Sequence, residues 1–194
     1  MCSILVNMDL TINIKQGESE FIEACINNEE WAQKKLYDDH SKVMYPLCLR
    51  YATDEDEAFD ILHEGFIKIF RHIGKYQVGT SLTAWIKRIM INTAIDYYRK
   101  RTRRRAGDID DARDLCSNAP DVLSELTAQE IIEALQKLSP AYRSVFNLYV
   151  IEGFSHREVA ENLNISESTS RSNLVKARQK LRKILLAKGL LYER

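Results

Sequence analysis

The chain contains 194 residues, of which 45% are hydrophobic and 29% are charged, with 28 basic and 28 acidic side chains. This composition is typical of a folded protein with one domain or two small ones, and it excludes a disordered or collagen-like chain. No apolar run approaches the roughly 18 residues needed to cross a bilayer, and the N-terminus lacks the basic segment of a secretory signal, so we expect a cytoplasmic protein without membrane insertion. The four cysteines form no C-x-x-C pair, which argues against a disulfide framework or a zinc ribbon.

The balanced net charge conceals four blocks of alternating sign. Residues 1–64 carry 5 basic and 14 acidic side chains, whereas residues 65–105 carry 11 basic and one acidic. Residues 106–133 carry 1 basic and 8 acidic side chains, and residues 134–194 carry 11 basic and 5 acidic. The two basic blocks predict two surfaces for a polyanion, and the acidic blocks leave faces for a basic partner, although any single block is also compatible with a solvated surface.

The first half of the chain is predicted to be a bundle of helices. Residues 18–51 are compatible with one or two helices, and Pro46 is expected to start or kink one of them. Over residues 54–73 apolar side chains recur every three or four positions, which predicts a helix with one buried face, although Gly65 is unusual in a helix interior. The core candidates of the earlier segment are Trp31, Leu36, Tyr37, Val43, Tyr45 and Leu47.

A second long helix and a linker are predicted next. After a loop at residues 74–80, Ser81 is expected to cap a helix that continues into the basic run at residues 99–105. Residues 106–125 combine a Gly, a Pro and clustered Asp without sustained periodicity, which is typical of a linker. The expected fold is therefore all-α, with two helical domains joined by an acidic linker.

The second half contains the pattern of a helix-turn-helix domain. Ser155 and Glu158 have the spacing of a capping box, and Asn164 can adopt the left-handed conformation that ends a short helix. Ser166 is then placed to cap a final helix. One side of that helix is apolar, and the opposite side carries Ser168, Ser172, Lys176 and Gln179. A buried stripe opposite such polar groups predicts a helix that enters a DNA major groove, whereas an ordinary amphipathic helix would explain the apolar stripe alone.

Both halves resemble one protein family in the same order along the chain. The segment LQKLSPAYRSVFNLYVIEGFSHREVAENLNISESTSRSNLVKARQKLRKIL is similar to region four of the extracytoplasmic-function (ECF) sigma factors of bacterial RNA polymerase. DEDEAFDILHEGFIKIF is similar to the region-two helix that docks on the polymerase clamp, and GTSLTAWIKRIMINTAIDYYRKRTRR to the segment that melts and reads the minus-ten element. The resemblance covers roughly residues 20–188.

The resemblance implies a domain division and partners. It implies a region-two domain at residues 18–105, a linker at 106–125 and a region-four helix-turn-helix domain at 126–190. The implied partners are promoter DNA, the beta-prime clamp and beta flap of core polymerase, and an anti-sigma factor. In relatives the linker threads into the polymerase cleft, although a solvated tether would explain its composition equally well. A sigma factor of this kind is a specificity subunit that needs no cofactor or metal. We therefore expect that the protein is not an enzyme.

The resemblance also implies residues for three contacts. The polymerase-binding candidates are Asp56, Asp60, His63, Glu64 and Ile67. The candidates for minus-ten binding and melting are Tyr76, Gln77, Trp85, Arg88, Asn92, Arg99, Lys100 and Arg103. The minus-thirty-five candidates are Arg157, Ser168, Thr169, Arg171, Ser172, Asn173, Lys176 and Arg178. Trp85 also fits the buried stripe of its helix, and Asp96 is expected to pair with Arg99 or Lys100.

Two alternative functions account for the sequence less completely. A free-standing helix-turn-helix regulator would account for residues 126–194 but leaves the acidic face at Asp56 and Asp60 without a role. A helical adaptor or an enzyme using His and carboxylates is disfavoured, because the sequence contains no nucleophile and base arrangement, glycine-rich phosphate loop or metal spacing.

Overall fold

The computed structural model describes residues 17–105 and 127–190, and every regular element in these ranges is helical. The first half contains α1 at residues 17–26, α2 at Glu30–Tyr51, α3 at Glu55–His72, a 3₁₀ turn at Ile73–Lys75 and α4 at Leu82–Arg105. The all-α prediction is therefore confirmed. The predicted linker at 106–125 lies outside the described residues.

In the second half the structure describes four α-helices. They are α5 at Ala128–Gln136, α6 at Pro140–Phe146, α7 at His156–Leu163 and α8 at Glu167–Ala187. A π-helical turn at Asn147–Ile151 continues α6, and the sequence pattern did not predict it. Among the helices that the structure describes, none combines the length and the apolar character needed to cross a bilayer.

Helix α3 and helix α4 pack unusually closely. The Asp54 carboxylate accepts a hydrogen bond from the Glu57 N–H over 2.8 Å and so begins α3. A Cβ on Gly65 would overlap Met90 Sδ of α4, so a larger residue would require the buried Met90 side chain to move. The packing therefore explains a glycine whose helix propensity is poor.

Two core candidates in α2 were wrong. Leu36 and Leu47 are buried, as expected, but Trp31 and Val43 are exposed. Residues 30–51 form one continuous helix with Pro46 inside it, and its buried side also includes Met44. Trp31 and Val43 lie outside this buried stripe, which the apolar pattern alone could not resolve because α2 mixes apolar and polar residues on several sides.

The two halves are joined by a buried arginine. The Arg143 guanidinium in α6 is almost fully buried, and burial lowers its pKa to about 10, which leaves it charged at neutral pH. Within the second half it donates to the carbonyls of Leu135, Gln136 and Leu138 over 2.9–3.0 Å. Across the interface it donates to Tyr51 O over 3.1 Å and to Ala52 O at the end of α2.

Further polar contacts join the two halves. The Glu152 carboxylate pairs with Arg50 over 2.9 Å and with Lys87 over 2.8 Å. Asn147 Nδ2 donates to the Arg50 carbonyl over 2.6 Å. The interface thus adds charged groups and backbone carbonyls to an apolar core that continues from the first half into the second.

The helix-turn-helix prediction is confirmed in its local details. Ser155 and Glu158 form the reciprocal capping box at the start of α7. Asn164 ends that helix with φ of 56° in the left-handed region. Ser166 then caps α8 by accepting from the Thr169 N–H over 3.0 Å.

Candidate functional site

One face of α3 combines acidic and apolar side chains that are open to solvent. Asp56, Asp60, His63 and Ile67 are exposed, and Glu64 is half-buried. Their spacing of three and four residues places them on one side of the helix, opposite the buried stripe. The structure therefore brings together all five predicted polymerase-binding residues.

An exposed aromatic residue extends this face. Phe59 is 43% exposed and lies one turn before His63, and Ile67, one turn further on, is 51% exposed. The Phe59 ring stacks on Tyr45 of α2 at 4.6 Å and on His63 at 6.1 Å between ring centroids. Sequence reasoning missed Phe59 and Tyr45, although a phenylalanine outside the buried stripe of α3 was a usable signal. We call Asp56, Phe59, Asp60, His63, Glu64 and Ile67, with Tyr45, the α3 face.

The α3 face is fixed to α4 by polar contacts. Tyr97 of α4 donates its hydroxyl to Asp60 Oδ2 over 3.0 Å. Near the start of α3, Glu57 accepts from Arg101 over 2.8 Å, and Arg101 also contacts the Thr53 hydroxyl. Asp60 therefore links α3 to α4 and also lies on the exposed surface. A substitution of Asp60 would change both at once, so it makes an ambiguous test variant.

Helix α4 presents basic and amide side chains on its outer side. Arg88, Asn92, Lys100 and Arg103 are exposed, and Arg99 is half-buried. Four of these recur at spacings of four, seven and four residues, which forms a stripe along the helix. A stripe of this kind can contact phosphates and base edges along one side of a nucleic-acid strand.

Asp96 interrupts this stripe with one negative charge. It pairs with Lys68 of α3 over 3.0 Å and with Arg99 over 3.8 Å. The predicted pairing with Arg99 is confirmed, and Lys68 adds a contact that the sequence did not reveal. Arg99 also donates to the Glu161 carbonyl of α7 over 3.3 Å, so the stripe touches the second half.

The loop before α4 differs in exposure from residue to residue. Tyr76 is only 6% exposed, and its ring meets Trp85 edge-on at 5.8 Å. Trp85 is half-buried, in agreement with its alternative role in the core, whereas Gln77 is exposed. Of the predicted base-contacting residues in this region, Gln77 is the one that presents its side chain freely to solvent.

The outer side of α8 carries short polar and basic side chains. Ser168, Thr169, Arg171, Ser172 and Arg178 are exposed, whereas Asn173 and Lys176 are half-buried. In the free protein Arg171 pairs with Glu167 over 2.8 Å, and Arg157 of α7 pairs with Glu161 over 3.1 Å. Exposed pairs of this kind are weak and exchange readily for phosphate.

A part-buried side-chain contact joins α7 to α8. His156 Nδ1 lies 2.9 Å from Ser170 Oγ, and the imidazole stacks on Tyr149 at 4.2 Å. Burial, followed by the charge of Arg171, lowers the pKa of His156, so the ring is neutral at physiological pH. Ser170 is fully buried, and sequence reasoning did not identify either residue as part of this contact.

The described parts of the chain offer no group of three or more His, Cys, Asp or Glu side chains arranged to hold a metal ion. The surfaces above consist of exposed apolar, acidic and basic side chains on helices. Their chemistry is that of partner and nucleic-acid recognition.

Comparison with known proteins identifies the family of both halves. Residues 36–104 match Sigma-70 region 2, and residues 128–181 match Sigma-70, region 4. The ECF RNA polymerase sigma factor SigM of Bacillus subtilis is 30% identical over 152 residues, which cover 76% of this chain and 91% of SigM. The chain belongs to the ECF RNA polymerase sigma factors. As a member of this family it is a regulatory DNA-binding protein of transcription initiation.

Further relatives of this sigma factor differ in length. The ECF sigma factor SigE of Mycolicibacterium smegmatis is 32% identical over 157 residues, which cover 78% of this chain but only 60% of SigE. Among solved structures, the sigma factor RpoE in complex with the anti-sigma factor NepR from Bartonella quintana aligns with a TM-score of 0.47 and 22% identity. That alignment covers 78% of this chain and 95% of RpoE.

Proposed function

We propose that this sigma factor binds core polymerase through the α3 face and reads a promoter with two separate surfaces. The loop before α4 and the α4 stripe take the melted minus-ten strand, and α8 reads the minus-thirty-five element as duplex. In this proposal residues 18–105 and 126–190 act as the two DNA-binding units, and residues 106–125 connect them. The protein acts in the cytoplasm, where polymerase and promoter are located.

The observation that carries the proposal is the composition of the α3 face. Phe59 and Ile67 expose large apolar side chains. Neighbouring exposed apolar side chains are typical of a surface that a partner protein covers. Asp56 and Asp60 border them with negative charge. An apolar row with an acidic border fits a basic protein surface, which the polymerase clamp would supply, and disfavours direct contact with DNA phosphates.

The two basic surfaces complement this assignment. An unpaired strand needs positive charge for its backbone and polar groups for its bases, and Arg88, Asn92 and Gln77 are exposed groups of these kinds. Helix α8 offers Ser172 and Arg178 from a helix whose opposite side is buried, which is the arrangement of a major-groove recognition helix.

Simultaneous use of both surfaces requires the halves to separate. The contact between Arg99 and the Glu161 carbonyl places α4 directly against α7. A linker of about 20 residues can reach up to roughly 70 Å when extended, so the connection is long enough for the two halves to move apart. Two weak DNA contacts on one polymerase then reinforce each other through effective concentration.

We also propose an anti-sigma factor as a partner, since related proteins form such complexes and the α3 face would be covered by one. The beta flap of polymerase is the proposed partner of region four. A free-standing helix-turn-helix regulator remains the second candidate, and α8 is the observation in its favour.

The test is binding to purified bacterial core polymerase, read by gel filtration. Asp56→Arg combined with Ile67→Arg changes two exposed positions on the α3 face, and we expect binding to weaken at least tenfold. Asp60 is left unchanged, because a variant that lost its hydrogen bond with Tyr97 would disturb the contact between α3 and α4 as well as the exposed surface.

The matched control is Ile26→Arg, because Ile26 is 47% exposed and lies outside the α3 face. We expect this variant to bind core polymerase like wild type. If neither the wild type nor either variant binds core polymerase, while the isolated chain binds duplex DNA tightly, the free-standing regulator replaces the proposal.

A further inference from the structure

The loop at residues 76–81 contains one turn that is closed by local hydrogen bonds. Thr80 donates its backbone N–H over 3.2 Å and its hydroxyl over 2.7 Å to the Gln77 carbonyl. Gly79 has φ of 87°, a left-handed conformation in which a side chain would be strained. The result is a tight turn whose exposed side chains include Gln77 and Val78.

A carboxylate from a distant helix lies against this turn. Glu18 in α1 accepts from the Gly79 N–H through Oε2 over 3.0 Å. Its other oxygen, Oε1, lies 2.7 Å from the Tyr76 hydroxyl, which is also 2.6 Å from the Thr80 carbonyl. Because a phenol has one proton, Tyr76 donates to one of these oxygens at a time. Burial, and next the contact with Glu18, raise the pKa of Tyr76, so the hydroxyl keeps that proton at neutral pH.

Helix α1 does not depend on Glu18 for its place in the fold. Ile22, Ala24 and Cys25 of α1 are buried in the core of the first half. Burial of these apolar side chains holds the helix, whereas Glu18 is half-buried at its edge and, within the described residues, makes its hydrogen bonds to the loop. Removal of the carboxylate should therefore release the loop without unfolding the bundle.

We infer that Glu18 is a positioning residue for base capture, which acts on the loop through Tyr76 and Gly79. The inference rests on the proposed function, in which this loop takes a base from the melted minus-ten strand. A carboxylate repels phosphate, so Glu18 contributes by fixing the turn beneath Gln77 and Val78 rather than by touching DNA. A loop that is already ordered loses less conformational freedom when the base binds.

The experiment uses full-length protein assembled with core polymerase and a pool of duplex templates with a randomised upstream segment. Sequencing of the transcripts reports the base preference at every promoter position, so no promoter has to be known in advance. We expect Glu18→Ala to lose the preference at the one non-template position taken by the loop and to initiate about tenfold more slowly. The minus-thirty-five preference, the affinity for core and the thermal unfolding midpoint should stay as in wild type.

Three further variants make the mechanism specific. Tyr76→Phe removes the phenol oxygen, and the double variant with Glu18→Ala should be no worse than Glu18→Ala, because both changes act through one contact. Glu18→Gln can still accept from the Gly79 N–H and should restore most of the base preference. Glu20→Ala, at an exposed position on the same helix, is the matched control and should behave like wild type.

The outcomes separate this inference from the proposed function. If wild type initiates transcription and Glu18→Ala keeps its full base preference and a rate within twofold, Glu18 has no positioning role. An equal loss of preference at both promoter elements, or a lowered unfolding midpoint, would show a general structural role and overturn the inference. If wild type binds core but selects no promoter from the pool, the proposed function itself fails and the inference with it.

Discussion

Two connections between helices in this sigma factor are stabilised in opposite ways. The turn between α7 and α8 is set by neighbours in sequence, since Asn164 adopts the left-handed conformation and Ser166 caps the next helix from three residues away. The loop before α4 is set by Glu18, which lies 58 to 61 residues earlier in the chain. The first connection orients a helix proposed to read duplex DNA, and the second supports a loop proposed to take a single base.

The difference teaches how each surface responds to change. A turn with local caps keeps its shape as long as its own residues are present, so its geometry is independent of the remaining fold. A loop held from another helix depends on the packing of that helix. Substitutions at positions distant along the chain from the DNA-contacting residues should therefore disturb the minus-ten surface more often than the minus-thirty-five surface.

The largest expected effect comes from the tertiary contact between the halves. In Arg143→Met, five backbone carbonyls lose a charged donor, and we expect the free energy of unfolding to fall by about 3 kcal/mol. Urea denaturation measures this change. The control is Arg157→Met, whose side chain is 79% exposed and whose loss should cost less than about 0.5 kcal/mol. Equal effects in the two variants would contradict the importance of the buried contact.

The next effect tests the close approach of α3 and α4. Gly65→Ala improves helix propensity by about 1 kcal/mol, but its new Cβ would meet the buried Met90 side chain, and we expect a net loss of about 1 kcal/mol. Thermal and urea unfolding report the change. Gly74→Ala is the matched control, because its Cβ would meet only Ile26 at 3.8 Å. A stabilised Gly65→Ala protein would show that the two helices adjust to the extra methyl group.

An effect of similar size tests the local turn. Asn164→Ala places a residue with a Cβ and no amide in the left-handed region, and we expect a loss of about 1 kcal/mol in unfolding free energy. Asn164→Gly should stay close to wild type, because glycine adopts this conformation without strain. The two variants are compared by urea denaturation, and an Ala variant as stable as the Gly variant would mean that the turn does not depend on this conformation.

The smallest effect appears as a pH dependence at Glu57. Burial alone would raise the pKa of this carboxyl, but hydrogen bonds from Thr53 and from Arg101 outweigh burial and hold the pKa below its ordinary 4.5. The folded state therefore binds fewer protons than the unfolded state, so this stabilisation is complete above pH 4.5 and is lost as the pH falls through the lower folded value.

We expect the stability difference between wild type and Glu57→Gln to shrink when urea denaturation is repeated from pH 6 down to pH 3. Glu55→Gln, at an exposed carboxyl in the same helical turn, is the control variant. A difference that does not change with pH, or one that changes equally in both variants, would argue against the proposed role of the Arg101 contact.

Much of the candidate site could be predicted because helices are periodic. The five predicted residues of the α3 face share one side of the helix, and the capping residues of the second half are placed as predicted. Tyr76 shows the limit, since an aromatic residue in a polar loop suggested base stacking, yet its ring is buried and its hydroxyl contacts Glu18. Trp31 shows the converse, because this aromatic residue was expected in the core but its side chain is exposed.

By itself, the sequence determined the helices, their caps and the exposed polar faces, because each depends on residues three or four positions apart. Only the tertiary structure decided which side chains meet across long separations in the chain. The burial of Arg143 between the halves, the glycine contact at Met90 and the support of the loop by Glu18 all belong to this second group. Such contacts follow from the relative positions of whole helices, which depend on the summed packing of many side chains rather than on any local pattern.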